Sequence, residues 1–350
     1  MGDFDNFLEF LEYLEDDPYP RMERVVFRDQ ENPLEALTNV EFMKHYHISK
    51  ESVRDVVLPL VRSDPVQNNR GLPIPDHLKL LTFVRYLSSG SFQLTCGELS
   101  KLSQGTVCNV VKEMSVKLVT HFPQFVNFPA NNDMPAVHEK FYALKQFPGV
   151  SGCVDGTHIP IYSPGGENAE IYRCRKGFFS LNVQVVAGPD LQFFDVIARW
   201  PGSTHDSRMF DGSAAKARFQ MGHVQGHLLG DAGYAQKPYL YTPLRNPVTR
   251  SELRYNNAHK TTRNVVERAI GVWKRKFPIL NRKMQNNLPN AVNIILASAI
   301  LHNITRAEHI PDDDDDANAI DLHLDVNINQ PGIDNVNAAS RNEFIDRHFH

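Results

Sequence analysis

Three strand-like segments that follow one another closely constrain the fold of this chain more than any other feature. Residues 149–162, 178–187 and 193–200 are rich in apolar residues, and the second alternates between apolar and polar positions. Alternation at a period of two predicts strands. The Gly-Pro-Asp turn at residues 188–190 predicts that the second and third strands pair antiparallel. The sequence therefore predicts a meander, with one acidic residue, Asp155, inside its first strand.

The elements that follow the meander complete the pattern of a mixed domain. A helix is predicted over about residues 203–219, and a short apolar strand over 227–231 ends in Asp231. Two further helices are predicted over 261–277 and 290–304 from their helical apolar spacing. Three strands, a helix, a strand and then helices is the order of a ribonuclease H-like fold, of the α/β (α+β) class.

Composition divides the chain into four regions. The last of them is acidic, Asn-rich and poor in apolar residues, so it is predicted to be a disordered tail. The predicted regions are an acidic lead-in over 1–35, a helical domain over 36–146, the ribonuclease H-like domain over 147–307 and the tail over 308–350.

Two short helices in the helical domain resemble a helix-turn-helix. Residues 92–102 and 106–118 have helical apolar spacing and flank a turn at Gly105. The second helix would be the recognition element, but it offers only Lys112 and Lys117 to a phosphate backbone. A DNA-reading motif and a helical packing unit without DNA contact are therefore both open.

The ends of the chain and its cysteines predict an intracellular protein. No apolar run approaches the roughly 20 residues of a membrane-spanning helix, so no membrane association is expected. The N-terminus is acidic and lacks the basic flank of a secretory signal. The four cysteines are scattered without a C-x-x-C pair, so they are predicted to be reduced and mostly buried. A metal here would be held by oxygen ligands, which favours Mg²⁺ or Mn²⁺ over zinc.

Three acidic residues stand on elements that such a fold brings together. Asp155 lies inside an apolar strand, where a charge is costly unless it is paired or bound to metal. Asp231 ends the fourth strand, and Glu267 lies on a late helix. Carboxylates that converge can hold two divalent ions, which stabilise both the attacking and the leaving oxygen of a phosphodiester. Asp155, Asp231 and Glu267 are thus predicted to be catalytic and to bind metal.

Asp206 has two interpretations. An acidic residue in the first turn of a helix stabilises the helix dipole and needs no metal. The same position could also reach the acidic site from the end of the third strand, as a further metal ligand. His158 and His205 are predicted to be structural or to orient substrate rather than to bind metal.

A basic block balances the acidic ends of the chain. The net charge is −4, yet residues 245–283 carry eleven bases against two acids, Glu252 and Glu267. Such a block suits a phosphate backbone, although a solvated surface helix is the alternative. The side chains predicted to position DNA are Arg173, Arg175, Lys176, Arg263 and Lys274.

At these residues the chain resembles the Harbinger/PIF transposases, and within them the host-domesticated, Harbinger transposase-derived nucleases. The resemblance covers roughly residues 40–305 and is most specific from 150 onward, where short segments recur in order. Those segments are VDGTHI at 154–159, YRCRKGFFSLNVQ at 172–184, PGSTHDS at 201–207, GDAGY at 230–234, VERAIG at 266–271, KF at 276–277 and LHN at 301–303.

The resemblance implies a DDE-type nuclease with a ribonuclease H-like core and a divalent metal, Mg²⁺ or Mn²⁺. It implies Asp155, Asp231 and Glu267 as the triad, with Asp206 as a further metal-binding carboxylate. It also implies double-stranded DNA as substrate and a separate Myb-like protein that supplies sequence-specific DNA binding and nuclear import. Nucleus and cytoplasm are the expected locations, and a homodimer is an open state.

Two functions of different classes are therefore predicted, and a ribonuclease is a third possibility. The first is a metal-dependent endonuclease on double-stranded DNA, by hydrolysis or strand transfer, from a domesticated transposase. The second is a catalytically silent adaptor that binds DNA or chromatin and keeps the transposase fold. A ribonuclease shares the fold and is disfavoured by the family resemblance alone.

Overall fold

A computed structural model describes residues 32–63, 73–308 and 335–350. The acidic lead-in lies almost entirely outside the described residues. The first part of the described chain is helical, as predicted. Its helices are α1 Pro33–Ala36, α2 Asn39–Tyr46, a π-helical turn Ser52–Val57 that continues into α3 Leu58–Val61, α4 Asp76–Ser89, α5 Gln93–Ser100, α6 Gln104–Val119, α7 Phe122–Phe125 and α8 Met134–Lys145.

The second part is a mixed α+β arrangement around a five-stranded sheet. The strand order is β3-β2-β1-β4-β5, in which β1, β2 and β3 are antiparallel and β4 and β5 run parallel to β1. The predicted meander is confirmed, whereas the short edge strand β5 was not predicted. The strands are β1 Val150–Pro160, β2 Ser180–Ala187, β3 Phe193–Pro201, β4 His227–Leu229 and β5 Leu240–Tyr241.

Helices cover the sheet. Every residue of β2, which lies next to the central strand β1, is buried, and this includes its polar residues Ser180, Asn182 and Gln184. Helices α8 and α11 pack against β1, and α12 packs against β3 and α6. The helices of this part are α9 Asp206–Asp211, α10 Ala214–Gln220, α11 Arg250–Lys276 and α12 Leu288–Ala307, with 3₁₀ turns at Ala169–Tyr172 and Pro278–Asn281.

Helix α11 begins eleven residues earlier than predicted, at Arg250 rather than at residue 261. The start is fixed by a capping box. The Thr249 hydroxyl accepts from the Glu252 N–H at 3.2 Å, and the Glu252 carboxylate accepts from the Thr249 N–H at 2.8 Å. Polar residues dominate the first turns, so apolar spacing did not predict a helix there. Tyr255 and His259 are nevertheless buried at helical spacing.

The single helix predicted over about residues 203–219 is wrong in one respect, because the structure contains two short helices there. Helix α9 ends at Gly212, and the Ser213 hydroxyl caps α10 by accepting from the Lys216 N–H at 3.0 Å. A Gly-Ser pair is a common end-and-start signal between helices.

The two helices predicted to form a helix-turn-helix are present as α5 and α6. Lys101 ends α5 in the left-handed conformation, and Ser103 caps α6. On α6, the Lys117 ammonium binds Glu113 at 3.0 Å and the Val61 carbonyl at 3.0 Å. One of the two lysines expected to face a phosphate is therefore engaged within the protein, and the DNA-reading role stays a prediction.

Helix α12 is the one helix in the described ranges whose length and composition would suffice to cross a bilayer. Within the fold, however, most of its residues are buried, among them Ile294, Ile300 and Leu301. It forms the central core contact between the helical part and the sheet.

The prediction of a disordered tail does not hold for residues 335–350, whereas 309–334 lie outside the described residues. The end of the chain forms helix α13, Asn335–His348. Phe349 is buried, and its ring lies 5.4 Å from Phe147 and 5.5 Å from Tyr255. The acidic composition predicted disorder, but two phenylalanines at its end, Phe344 and Phe349, bury against the domain.

We expect Phe349→Ala to lower the free energy of unfolding by about 1.5–3 kcal/mol, the value of burying one phenylalanine. The loss stays within this range because helix α13 can detach while the sheet remains folded. Urea denaturation followed by circular dichroism measures it. The matched control is His350→Ala at the exposed neighbouring position. Equal stability of the two variants would show that this contact contributes nothing.

Candidate active site

Asp155 lies in the middle of β1, with 19% of its side chain exposed. Its Oδ1 accepts a hydrogen bond from the Gly156 N–H at 2.9 Å. Burial raises the pKa of Asp155 to about 7; the Arg263 guanidinium opposes the rise, and Asp231 and Asp206 add to it. The carboxylate is therefore held where a charge is unfavourable and where other acidic residues are close.

Asp231 is brought beside Asp155 by the pairing of two parallel strands. Cys153 of β1 is in register with Leu229, the last residue of β4. Asp155 lies two residues further along β1, and Asp231 lies two residues beyond the end of β4. The Asp231 Oδ1 accepts from the Gly233 N–H at 2.9 Å, which holds the carboxylate in a tight turn. The predicted proximity of these two acids follows from this register.

Asp206 starts helix α9, and its side chain lies against β1. A side chain at Gly156 could not fit there, because its Cβ would be 2.5 Å from the Asp206 Oδ1. The Asn182 side chain donates to that oxygen at 3.4 Å and to the Thr204 carbonyl at 2.9 Å. Burial raises the pKa of Asp206 to about 6, and Asp231 contributes to the rise. Asp206 is therefore both a helix-start residue and a neighbour of the other two acids.

Glu267 does not join the three aspartates directly; Arg263 lies between them. The Arg263 guanidinium binds the Asp155 carboxylate at 3.2 Å and also forms an ion pair with Glu267, one turn along helix α11. Only 12% of the Arg263 side chain is exposed. Two negative side chains thus share one buried positive charge.

The loop before β2 places positive charge at the edge of this acidic cluster. The Arg175 guanidinium donates to the His205 Nδ1 at 2.7 Å, next to Asp206. Arg173 pairs with Glu170 at 2.7 Å and lies over the Phe179 ring, while Lys176 is exposed. Three predicted DNA-positioning residues therefore lie in one loop beside the acids.

The two predicted DNA-positioning residues on α11 are turned toward the protein. Arg263 binds the acids, and the Lys274 ammonium donates to the His158 carbonyl at 2.9 Å. Burial lowers the pKa of Lys274 to about 8, and Lys176 lowers it further. Their contact with DNA stays a prediction.

His158 is held in its neutral form. Burial lowers its pKa to about 4, with Lys274, Lys176 and Arg175 adding to the effect. Its Nδ1 lies 3.0 Å from the Ser180 hydroxyl. The neutral ring links β1 to β2, as the structural interpretation of this histidine predicts.

Comparisons with known proteins identify the family of this chain. The sequence model of the DDE superfamily endonucleases matches residues 154–303. The protein named "Putative nuclease HARBI1" is 32% identical over 279 residues in both Bos taurus and Homo sapiens, covering 78% of this chain and 79% of each relative. The chain belongs to the DDE superfamily endonucleases.

More distant relatives and solved structures complete the comparison. The ALP1-like protein of Arabidopsis thaliana is 26% identical to this DDE-family chain over 293 residues, covering 75% of the chain and 70% of the relative. No solved structure matches.

The donor set of this DDE-family protein fits a hard divalent cation in its chemistry. Asp155, Asp206 and Asp231 offer carboxylate oxygens. Burial and the neighbouring acids disfavour the charged forms of Asp155 and Asp206 unless a cation is present. The buried Tyr234 hydroxyl beside them has no hydrogen-bond partner. Across the described ranges, however, no three acids, histidines or cysteines are arranged as a formed metal site. Arg263 is paired with both Asp155 and Glu267.

Two residues of the site were not predicted from the sequence. Asn182 contacts Asp206 from the fully buried strand β2, and the Asn182 Oδ1 is buried without a partner. Tyr234 is fully enclosed near Asp206, Asp155 and Asp231, and burial raises its pKa well above the usual value. Both residues stand in segments that carry the family resemblance, Asn182 in 172–184 and Tyr234 in 230–234, and that was the signal that could have found them.

Proposed function

We propose that this protein is a Mg²⁺- or Mn²⁺-dependent endonuclease that acts on double-stranded DNA, built on a ribonuclease H-like core. The observation that carries the proposal is the pairing of β1 with β4, which sets Asp155 beside Asp231 with Asp206 against the same strand. The strand order and the family support this fold and this chemistry.

Asp155, Asp206 and Asp231 would hold the metal, and Glu267 would complete the set after leaving Arg263. Two bound ions supply a nucleophilic water at neutral pH and neutralise the leaving oxygen. The released Arg263 guanidinium would then stay beside the site and hold a phosphate oxygen. Bidentate guanidinium contacts suit phosphate geometry well.

The remaining residues orient the DNA. The loop with Arg173, Arg175 and Lys176 lies at the edge of the acids and carries positive charge toward a phosphate strand. Helix α11 has 27 residues, so it is about 40 Å long, which exceeds one turn of DNA. Its exposed bases support phosphate contact along that length: Arg254, Lys260, Arg268 and Arg275.

Sequence-specific binding and nuclear import would come from a separate Myb-like partner, and this protein would be found in the nucleus and cytoplasm. A homodimer stays an open oligomeric state. The weak recognition helix supports a partner, since Lys117 is engaged with Glu113 and Val61. In this arrangement the helical domain over 36–146 acts as a scaffold for the catalytic domain over 147–307.

Removal of divalent metal tests the proposal. We expect supercoiled plasmid DNA to be nicked or linearised in Mg²⁺ or Mn²⁺ and to stay intact when EDTA is present. The same metals with double-stranded RNA should give no cleavage, which separates a DNA endonuclease from a ribonuclease. Plasmid cleavage that persists in EDTA would contradict a metal-dependent mechanism.

A silent DNA- or chromatin-binding adaptor is favoured by one observation, the closed contact of Arg263 with Asp155 and Glu267. An arginine that already pairs with two of the acids supplies part of the positive charge that a metal ion would otherwise provide. Calorimetric titration with Mn²⁺ in the presence of duplex DNA separates the two functions. Metal uptake by the wild type and not by Asp155→Ala supports the endonuclease, whereas no uptake by either supports the adaptor.

A further inference from the structure

A cavity of about 300 Å³ lies between the end of helix α4 and the connection from α11 to α12. It is separate from the acidic residues described above. The residues that give it its chemistry are Tyr86, Phe92, Tyr162, Arg282, Lys283 and Gln285. Its volume lies at the lower end of the roughly 300–1,000 Å³ of small-molecule sites, which suits one nucleotide.

The walls of this cavity are fixed by close backbone contacts. Gly90 is in the left-handed conformation (φ +60°), and a Cβ there would lie 3.0 Å from the Pro278 backbone. The Tyr86 hydroxyl donates to the Asn286 Oδ1 at 3.0 Å, and the Tyr162 N–H donates to the Met284 carbonyl at 3.1 Å. The helical part and the sheet part therefore meet here in a preformed shape rather than across a loose cleft.

The lining combines exposed aromatic rings with positive charge. Phe92 is 59% exposed and Tyr162 is 53% exposed, so both rings present surface to solvent. Arg282 and Lys283 are exposed and form no ion pair with any residue in the described ranges, and the lining contains no acidic residue. Aromatic faces beside unpaired cations are the combination that binds unstacked bases and their phosphates.

Two elements that carry the acids, β1 and helix α11, lead toward residues that line the cavity. Tyr162 follows Asp155 by seven residues on an extended chain, which corresponds to roughly 20 Å. The exposed bases of α11 lead toward Arg282 and Lys283, which follow its end. At 3.4 Å per nucleotide of one strand, about six nucleotides span that distance.

We propose that this cavity binds one unpaired nucleotide of the DNA, with its base against Phe92 and Tyr162 and its phosphates on Arg282 and Lys283. Bases within an intact duplex are stacked on each other and cannot present a face to these rings, so the ligand is an unpaired base rather than a paired one. The proposal rests on the proposed function only in taking DNA as the substrate. It concerns binding and not cleavage.

The test compares a short blunt DNA duplex with the same duplex carrying a central bulge of unpaired thymidines. Binding is measured by fluorescence anisotropy in EDTA, so that strand cleavage does not interfere. The wild-type protein should bind the bulged duplex about tenfold more tightly, because stacking of one base on an aromatic side chain is worth about that factor. Tyr162→Ala and Phe92→Ala should each remove most of this preference.

Matched variants separate stacking from general effects. Tyr162→Phe keeps the ring and should keep the preference. Leu99→Ala removes an exposed apolar side chain of α5 that does not line the cavity, and should also keep it. The double variant Arg282→Ala/Lys283→Ala should weaken binding of both duplexes and reduce the salt dependence.

Two outcomes would overturn the proposal: a wild type with no preference for the bulge, or Tyr162→Ala and Phe92→Ala proteins that both retain it. The proposed endonuclease is tested separately, by metal-dependent cleavage of DNA. A preference that depends on Tyr162, in a protein that cuts no DNA with metal, supports the nucleotide cavity and removes the proposed endonuclease. Metal-dependent cutting without a bulge preference supports the proposed endonuclease and removes the nucleotide cavity.

Discussion

Replacing Asp155 with asparagine should lower the rate of metal-dependent DNA cleavage on the order of 10³-fold or more, as loss of a central electrostatic group does in other enzymes. Asp155 is the acid closest to the centre of the cluster, since it bears on Arg263, Asp231 and Asp206 at once. The amide keeps the shape of the side chain but cannot supply the negative charge that binds a metal ion.

The same substitution should not reduce stability. An acid whose pKa is raised to about 7 by folding stabilises the native state below pH about 4 and loses that contribution as the pH rises toward 7. The neutral amide of the Asp155→Asn protein carries no such penalty above that window, and Arg263 keeps Glu267 as its ion-pair partner. The melting temperature at pH 7.5 should therefore stay level or rise. Loss of activity with a fully folded protein is the expected signature of a functional carboxylate.

Asp195→Asn is the matched control for Asp155→Asn. Asp195 is an acid of β3 whose pKa burial raises to about 6, with Arg218 opposing, and it takes no part in the acidic cluster. Its amide variant should keep wild-type cleavage with a similar change in melting temperature. Plasmid nicking and thermal denaturation on all three proteins provide the comparison, and equal cleavage by Asp155→Asn and wild type would remove Asp155 from the mechanism.

Arg263→Ala should give the largest loss of stability among the variants considered. The guanidinium is bound to Asp155 and Glu267 in a site where only 12% of its side chain is exposed. Removing one partner of a buried ion pair leaves uncompensated charge and costs about 3–5 kcal/mol. Urea denaturation in EDTA at pH 7.5 measures the loss.

Arg268→Ala provides the control, since Arg268 is exposed on the same helix and forms no ion pair within the described ranges. Its stability should stay within about 0.5 kcal/mol of the wild type. If metal and Arg263 are alternative partners of the same carboxylates, Mn²⁺ should raise the melting temperature of Arg263→Ala more than that of the wild type. Equal stability of the two arginine variants would contradict the role assigned to Arg263.

The predicted triad illustrates what local patterns can and cannot convey. Asp155 and Asp231 could be chosen from the sequence because each stands in or directly after an apolar strand. A carboxylate there is costly unless it is paired or bound to metal. Asp206 could not be decided, because a helix-start aspartate looks the same whether it faces solvent or a neighbouring strand. The missing Cβ of Gly156 is what lets Asp206 approach β1.

The first turns of α11 and the whole of α13 were not predicted from the sequence, for the same reason. The first turns of α11 are polar and lie outside the helix predicted over 261–277, yet the capping box at Thr249 and the buried Tyr255 stabilise the helix there. Helix α13 was assigned to a disordered tail because its average composition is acidic. In both cases a few buried aromatic residues outweigh the composition of the segment around them.

By itself the sequence determined the meander of β1 to β3, the fourth strand with its terminal acid, the helical character of the first part and membership of the DDE endonucleases. These follow from periodicity and short motifs, which are local properties of the chain. Only the tertiary structure decided that Arg263 lies between Asp155 and Glu267, that Asp206 faces the same strand, and that a cavity forms beside Tyr162. Arg263 and Asp155 are 108 residues apart in the chain, and only the packing of α11 against β1 brings them within 3.2 Å.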